Sequence, residues 1–203
     1  MITIIRFLLY LNFPNFLIMK KTCFTYSLCF LISGFIFSTN ISAQVMSNDD
    51  LKAQMTSDWQ RAKLYTQEYM NTMPADKYSF KAVDSLRSFA QQLLHLATAN
   101  VFLMAQATDQ PPASWASFGL EKRVTAQSKD SVMYFINASY DYALHAVTKS
   151  DPARWKEGKE LFGFKTTKYA LMQKAFEHQT HHRGQTTVYI RANNIIPPQE
   201  KLF

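Results

Sequence analysis

The sequence predicts an all-α fold, a four-helix bundle with a crossover connection. Three observations predict it. Four segments carry apolar residues at steps of three and four, the spacing that lines one face of a helix. No segment alternates at period two over a useful length, and no internal repeat or low-complexity tract is visible. Five glycines in 203 residues are too few for a sandwich or barrel full of tight turns, while a 47% hydrophobic content suffices for a packed core.

The first helix follows Ser47-Asn48-Asp49-Asp50. Leu51, Met55, Trp59, Ala62, Tyr65, Tyr69 and Met73 form its stripe, with acids in the first turn and Pro74 as the stop. The second runs from about Asp84 to Ala107. Leu86, Phe89, Leu93, Leu96, Asn100 and Leu103 repeat at helical spacing, and Leu93 to Ala105 is apolar on most faces, which marks a buried helix. Pro111-Pro112 and Gly119 mark a loop. The third helix starts near Ser128, with Asp130 in its first turn, and is lined by Val132, Phe135, Ser139, Tyr142 and Ala146. Ser150-Asp151-Pro152 ends it. A connector holding Trp155, Gly158 and Gly163 leads to the fourth helix, Thr166 to Asn193, closed by Asn193-Asn194 and Pro197-Pro198. Connectors of roughly twenty residues are long for a simple up-down bundle and leave room for a crossover.

Residues 1–43 read as an address. Their only charges are Arg6, Lys20 and Lys21, all positive. Leu28 to Phe37 is apolar except for Ser33 and is followed by Ile41-Ser42-Ala43. A basic start, a short apolar run and small residues before a cut describe a secretory signal peptide, with cleavage after Ala43. Met19 directly precedes the Lys pair and reads as the true start, which makes residues 1–18 an upstream extension. The run falls short of the ~20 residues of a membrane span, so an uncleaved anchor is the lesser alternative. The domain proper is then 44–203, exported to the periplasm or secreted by a bacterium, with no stable membrane anchor after cleavage. Cys23 and Cys29 both lie in the leader and lack a lipoprotein pattern, so the mature chain has neither a disulfide nor a Cys nucleophile.

The formal charge of +7 shrinks with the leader. Without Arg6, Lys20 and Lys21 the chain has 19 basic against 15 acidic residues, a net +4, and these are scattered. No basic run or aromatic-interleaved patch remains, so nucleic acid is not an expected partner.

Three of the five histidines fall in Glu177-His178-Gln179-Thr180-His181-His182-Arg183-Gly184-Gln185. Positions four apart on a helix lie one above the other, so His178 and His182 can aim at one metal ion. His181 points about 100° away from His182. The stripe Leu171, Ala175, His178, His182, Gln185, Tyr189 turns the pair into the bundle. Two ligands bind weakly, and His95, set among Leu93, Leu94, Leu96 and Ala97, is the obvious third. His145 has no such context and reads as surface or packing. Three histidines leave a coordination position open for water or for a substrate oxygen or thiolate, the catalytic rather than the closed structural pattern. A solvated or structural histidine cluster is an equal reading of the spacing alone.

The string from His178 to Gln185, followed by Tyr189-Ile190-Arg191 and Ile196-Pro197-Pro198, resembles the C-terminal signature of the DinB-like family. So does Ser79-Phe80-Lys81 leading into Ser85-Leu86-Arg87-Ser88-Phe89 and then His95-Leu96. The resemblance covers residues 48–200. It implies a four-helix bundle with an unusual crossover, similar to metal-dependent hydrolases and bacterial thiol-dependent transferases. It implies a divalent metal, zinc or nickel, held by His95, His178 and His182. Arg183, Gly184 and Gln185 match the motif without being ligands. Gly184 is expected to allow close helix packing, and Arg183 and Gln185 to stand behind the ligands or serve packing. Glu177 points off the face of His178 and is not expected to act as a base.

The function this implies is an exported metal-dependent hydrolase or transferase acting on an unidentified small molecule. The alternative is a non-catalytic exported bundle that binds metal or a small ligand. The better-defined members of the family act on cytoplasmic thiols, which an exported chain would not meet. DNA association is suggested only by the family's name and is opposed by the leader and the missing basic patch. Family members often pair, so a homodimer is expected.

Overall fold

The computed structural model describes residues 46–203. The expectations about the signal peptide, its cleavage site and the start at Met19 lie outside the described residues. Four long helices carry the fold: α1 (Asn48–Thr72), α2 (Phe89–Thr108), α3 (Lys129–Lys149) and α4 (Lys168–Ala192). Each begins at a hydroxyl cap that satisfies otherwise orphaned N–H groups. Ser47 and Asp50 form a capping box on α1, and Ser88 and Gln91 form one on α2. Ser128 caps α3 and Thr167 caps α4. Met73 and Pro74 end α1, where a proline cannot continue the ladder. Among the described residues no helix is long and apolar enough to cross a membrane.

Helix α1 packs on α3 and α4, and α2 packs on α3 and α4. Consecutive helices α1 and α2 are therefore diagonal, as are α3 and α4. The connectors 73–88 and 150–167 run between diagonal partners. Trp59 of α1 sits at the centre, fully buried, with its ring edge-on to Tyr140 at 5.7 Å and to Phe176 at 5.4 Å. Edge-to-face pairs are an arrangement that the ring quadrupoles favour.

The structure departs from the sequence reading in four places. An antiparallel hairpin, β1 (Gly158–Leu161) and β2 (Phe164–Thr167), stands in the last connector, so the fold is mostly helical rather than all-α. Its two-residue tip, Phe162-Gly163, has φ of 54° and 80°, the left-handed pair that a type I′ turn requires. Helix α2 begins at Phe89, not Asp84: Ser88 takes the cap, and Leu86 is left exposed in the preceding turn. Helix α4 correspondingly starts at Lys168, because Thr166 and Thr167 pair in β2. On α3 the buried face is Val132, Ile136, Ser139, Tyr140, Ala143, Ala146 and Val147. Phe135 and Tyr142 are half-buried at the edge of the core, where they also meet the α2–α3 connector, through Trp115 at 5.2 Å and through a hydrogen bond from Tyr142 Oη to the Pro111 carbonyl.

One buried cation staples the hairpin end. Lys168 Nζ lies 2.7 Å from Asp109 at the end of α2 and 2.6 Å from Glu157 before β1. Lys159 also reaches Asp109, and Arg154 reaches Glu157. These donors hold both carboxyls well below the ordinary carboxylate range, each at about 2.

Candidate metal centre

Helices α2 and α4 face one another, and each contributes to one cluster. His95 comes from α2, and His178 and His182 come from α4. The ring centroids are 5.1 Å apart for His95 and His178, 4.6 Å for His95 and His182, and 4.4 Å for His178 and His182. One ligand nitrogen from each lies within 4.8 Å of the others. Around a tetrahedral ion at ~2.0–2.1 Å, such nitrogens stand about 3.4 Å apart. His182 is buried, while His95 and His178 are half-buried and keep one side of the cluster open.

The imidazoles are held neutral. Burial is the main cause for all three, and it disfavours the charged form. His178 is lowered to about 4, by burial and then by the neighbouring His95 and His181. His182 is lowered to about 3, by burial and then by His178 and His95. His95 is also lowered, by burial and the Arg87 guanidinium, with Glu121 acting in the opposite sense. A neutral imidazole offers a lone pair to a metal without first losing a proton.

A hydrogen-bond chain orients the cluster. His182 Nδ1 lies 2.8 Å from Gln92 Oε1, so Nδ1–H donates and the lone pair is left on Nε2. Gln92 Nε2 donates to Tyr189 Oη at 3.3 Å, and Tyr189 Oη donates to the Arg87 carbonyl at 2.6 Å. The Nδ1 atom of His178 is buried without a partner among the described residues. An unpaired buried polar atom is costly, and a ligand or ion is one way to satisfy it. Three histidine nitrogens so gathered could hold a metal ion.

The neighbouring residues take other places. Arg183 is buried. Its Nη1 donates to Gln179 Oε1 at 2.9 Å, and its guanidinium lies 4.6 Å from the Tyr65 ring centroid. It makes no hydrogen bond to a histidine and lines a separate cavity with Tyr65, Tyr69 and Thr187. Gln185 Nε2 lies 3.0 Å from Nε2 of the exposed His181, so both belong to the outer edge of the cluster. Gly184 is exposed, and a Cβ added there would meet nothing within 4 Å, so close packing does not account for it. His145 is exposed on α3, and Glu177 pairs with Lys174 on the surface.

Two neighbours were missed in the sequence. Gln92 had a weak signal, as a polar residue one turn before His95 on the same face of an apolar helix. Glu121 had none. A 3₁₀ turn over Leu120–Lys122 brings its Oε1 to 3.9 Å from His95 Nδ1, largely shielded from solvent.

The chain is similar to several known proteins. A family model described as the DinB family matches residues 46–195. An uncharacterized protein, YjoA, of Bacillus subtilis strain 168 is 26% identical over 138 residues, covering 68% of this chain and 88% of the relative. The crystal structure of a DinB-like protein from Bacillus cereus ATCC 10987 superposes with a TM-score of 0.63 at 16% identity, covering 72% of this chain and 95% of that one. The crystal structure of the Bacillus subtilis DinB-like protein YjoA gives a TM-score of 0.55 at 20% identity, covering 74% and 96%.

Proposed function

Because the chain belongs to the DinB family, we propose that His95, His178 and His182 hold a divalent ion, zinc or nickel, at the centre of a metal-dependent hydrolase or transferase. The observation that carries this reading is the cluster of three neutral imidazoles, with ligand atoms within 4.8 Å of one another, open on one side. A divalent ion bound there supplies Lewis acidity toward an oxygen or sulfur atom of the substrate. The chain does the rest. Gln92 fixes His182 in the tautomer that presents Nε2, and Tyr189 fixes Gln92. Glu121 places a carboxylate 3.9 Å from His95, at the edge of the cluster. The leader-like pattern in residues 1–43 supports an exported, periplasmic or secreted protein, and the habit of the family supports a homodimer.

Metal analysis of the purified protein tests the reading. We expect stoichiometric zinc or nickel in the wild type and loss of nearly all of it in His95→Ala, His178→Ala and His182→Ala. Unchanged metal content in those variants would sink the proposal. Metal retained by the wild type without turnover on ester, amide and thiol-transfer substrates returns the non-catalytic binding bundle.

A further inference from the structure

Two cavities flank the histidine cluster and share Glu121 and Lys122 as a wall. They differ in chemistry. The first, about 510 Å³, touches His95 and His178 and is walled by Phe102, Phe118 and Phe162. Phe102 meets Phe118 edge-on at 5.1 Å, and Phe162 lies over Phe102 at 5.9 Å with an interplanar angle of 26°. Phe118 and Phe162 are 76% and 75% exposed, so two rings stand open to solvent at the rim. A phenylalanine at φ 54° is also a costly choice, since the tip of a type I′ hairpin favours Asn or Gly. Neither the core nor the turn explains Phe162. The cavity does.

The second cavity, about 580 Å³, touches His182 and holds Lys81, Arg87 and the shared Lys122, against Asp84 and Glu121. Among the described residues Arg87 and Lys122 make no ion pair, so their charge is available to a ligand. An aromatic slot and a cationic basin thus adjoin at the histidines.

We propose that this site takes a small anion carrying a flat apolar group. The apolar group lies among Phe102, Phe118 and Phe162, the anionic end lies toward Arg87 and Lys122, and the linking atoms pass beside the histidines. The proposal deepens the reading of the site given above by naming its substrate class. Its recognition elements are side chains of this protein and do not need the metal.

Calorimetric titration of the purified protein tests it, in metal-stripped and in zinc-supplemented form. The probes are 3-phenylpropionate with its one-carbon shorter and longer homologues, the matching neutral alcohols, and propionate. The best aryl acid should bind at least about tenfold tighter than its alcohol and than propionate, in both metal states. Phe162→Asn, which suits the turn and should preserve the melting temperature, should weaken the aryl acid about three- to tenfold. Arg87→Gln should weaken the acid but not the alcohol. Equal binding of all probe classes, binding of none, or binding unaffected by both variants overturns the proposal. If zinc uptake fails while the aryl acids keep their selectivity, the metal reading falls and this one stands. If zinc binds and selectivity is absent, the reverse holds.

Discussion

Gln92 is the residue whose removal most directly tests how the histidine cluster is held. Its side chain is 4% exposed and, among the described residues, its oxygen accepts the only side-chain hydrogen bond of His182, itself 6% exposed. Gln92→Leu keeps the volume and removes the acceptor. The imidazole N–H is then buried without a partner, at about 1–3 kcal/mol. For a domain of this size that lowers Tm by about 2–12 °C in the metal-free protein. The ring also loses what fixes its tautomer. Loss of such a supporting partner costs about 10- to 100-fold in metal affinity, or about 1.4–2.8 kcal/mol. Gln92→Glu moves the affinity the other way: it keeps the acceptor and adds a charge that makes the ring a stronger donor to metal. Competition against a chromophoric chelator measures both affinities, and thermal unfolding without metal measures the stability cost. Zinc affinities within about twofold of wild type for both variants would refute the role assigned to Gln92.

Two further outcomes follow from the same structure. Asp109 and Glu157 have depressed folded-state values of about 2, so their stabilisation is complete above the unfolded value near 4 and is lost as pH falls through about 2. Lys168→Met removes a donor from both, so the stability gap between wild type and variant should narrow between pH 5 and 2; a constant gap across urea unfolding at those pH values would count against the staple. Ser88→Ala removes the capping box from the helix that carries Gln92 and His95 and should cost about 0.5–2 kcal/mol in urea unfolding, with a midpoint equal to wild type as the contrary result.

The helices were legible in the sequence because burial and helical period coincide. Met55, Trp59, Ala62, Tyr65, Tyr69 and Met73 all fall on the buried face of α1 or at its cap. The spacing of His178 and His182 carried the α4 half of the cluster, since positions four apart share a face whatever surrounds them. Where the reading failed, a connector had intervened. Phe135 and Tyr142 read as core residues but are only half-buried at its edge, with the loop holding Trp115 and Pro111 over them, and periodicity carries no information about a loop. The hairpin escaped because four-residue strands are too short to show alternation and its tip lacks the Asn-Gly signal. Glu121 escaped because its position depends on how a 3₁₀ turn lies against α2, which is a tertiary matter. Gly184 misled in the opposite direction: a glycine on a helix suggests a close neighbour, and here none exists.

The hairpin has one more consequence. Leu161, Lys159 and Thr167 tie the hairpin to the bundle, through the edge of the core, Asp109 and the cap of α4, but residues 162–165 at and beside its tip are exposed. Its tip, though, supplies one wall of the cavity beside His95 and His178. Stability and ligand choice therefore pull apart at Phe162, where the backbone would favour Asn or Gly and the cavity uses an aromatic ring. A change confined to that tip can alter the molecules admitted while the four helices and their histidines stay as they are.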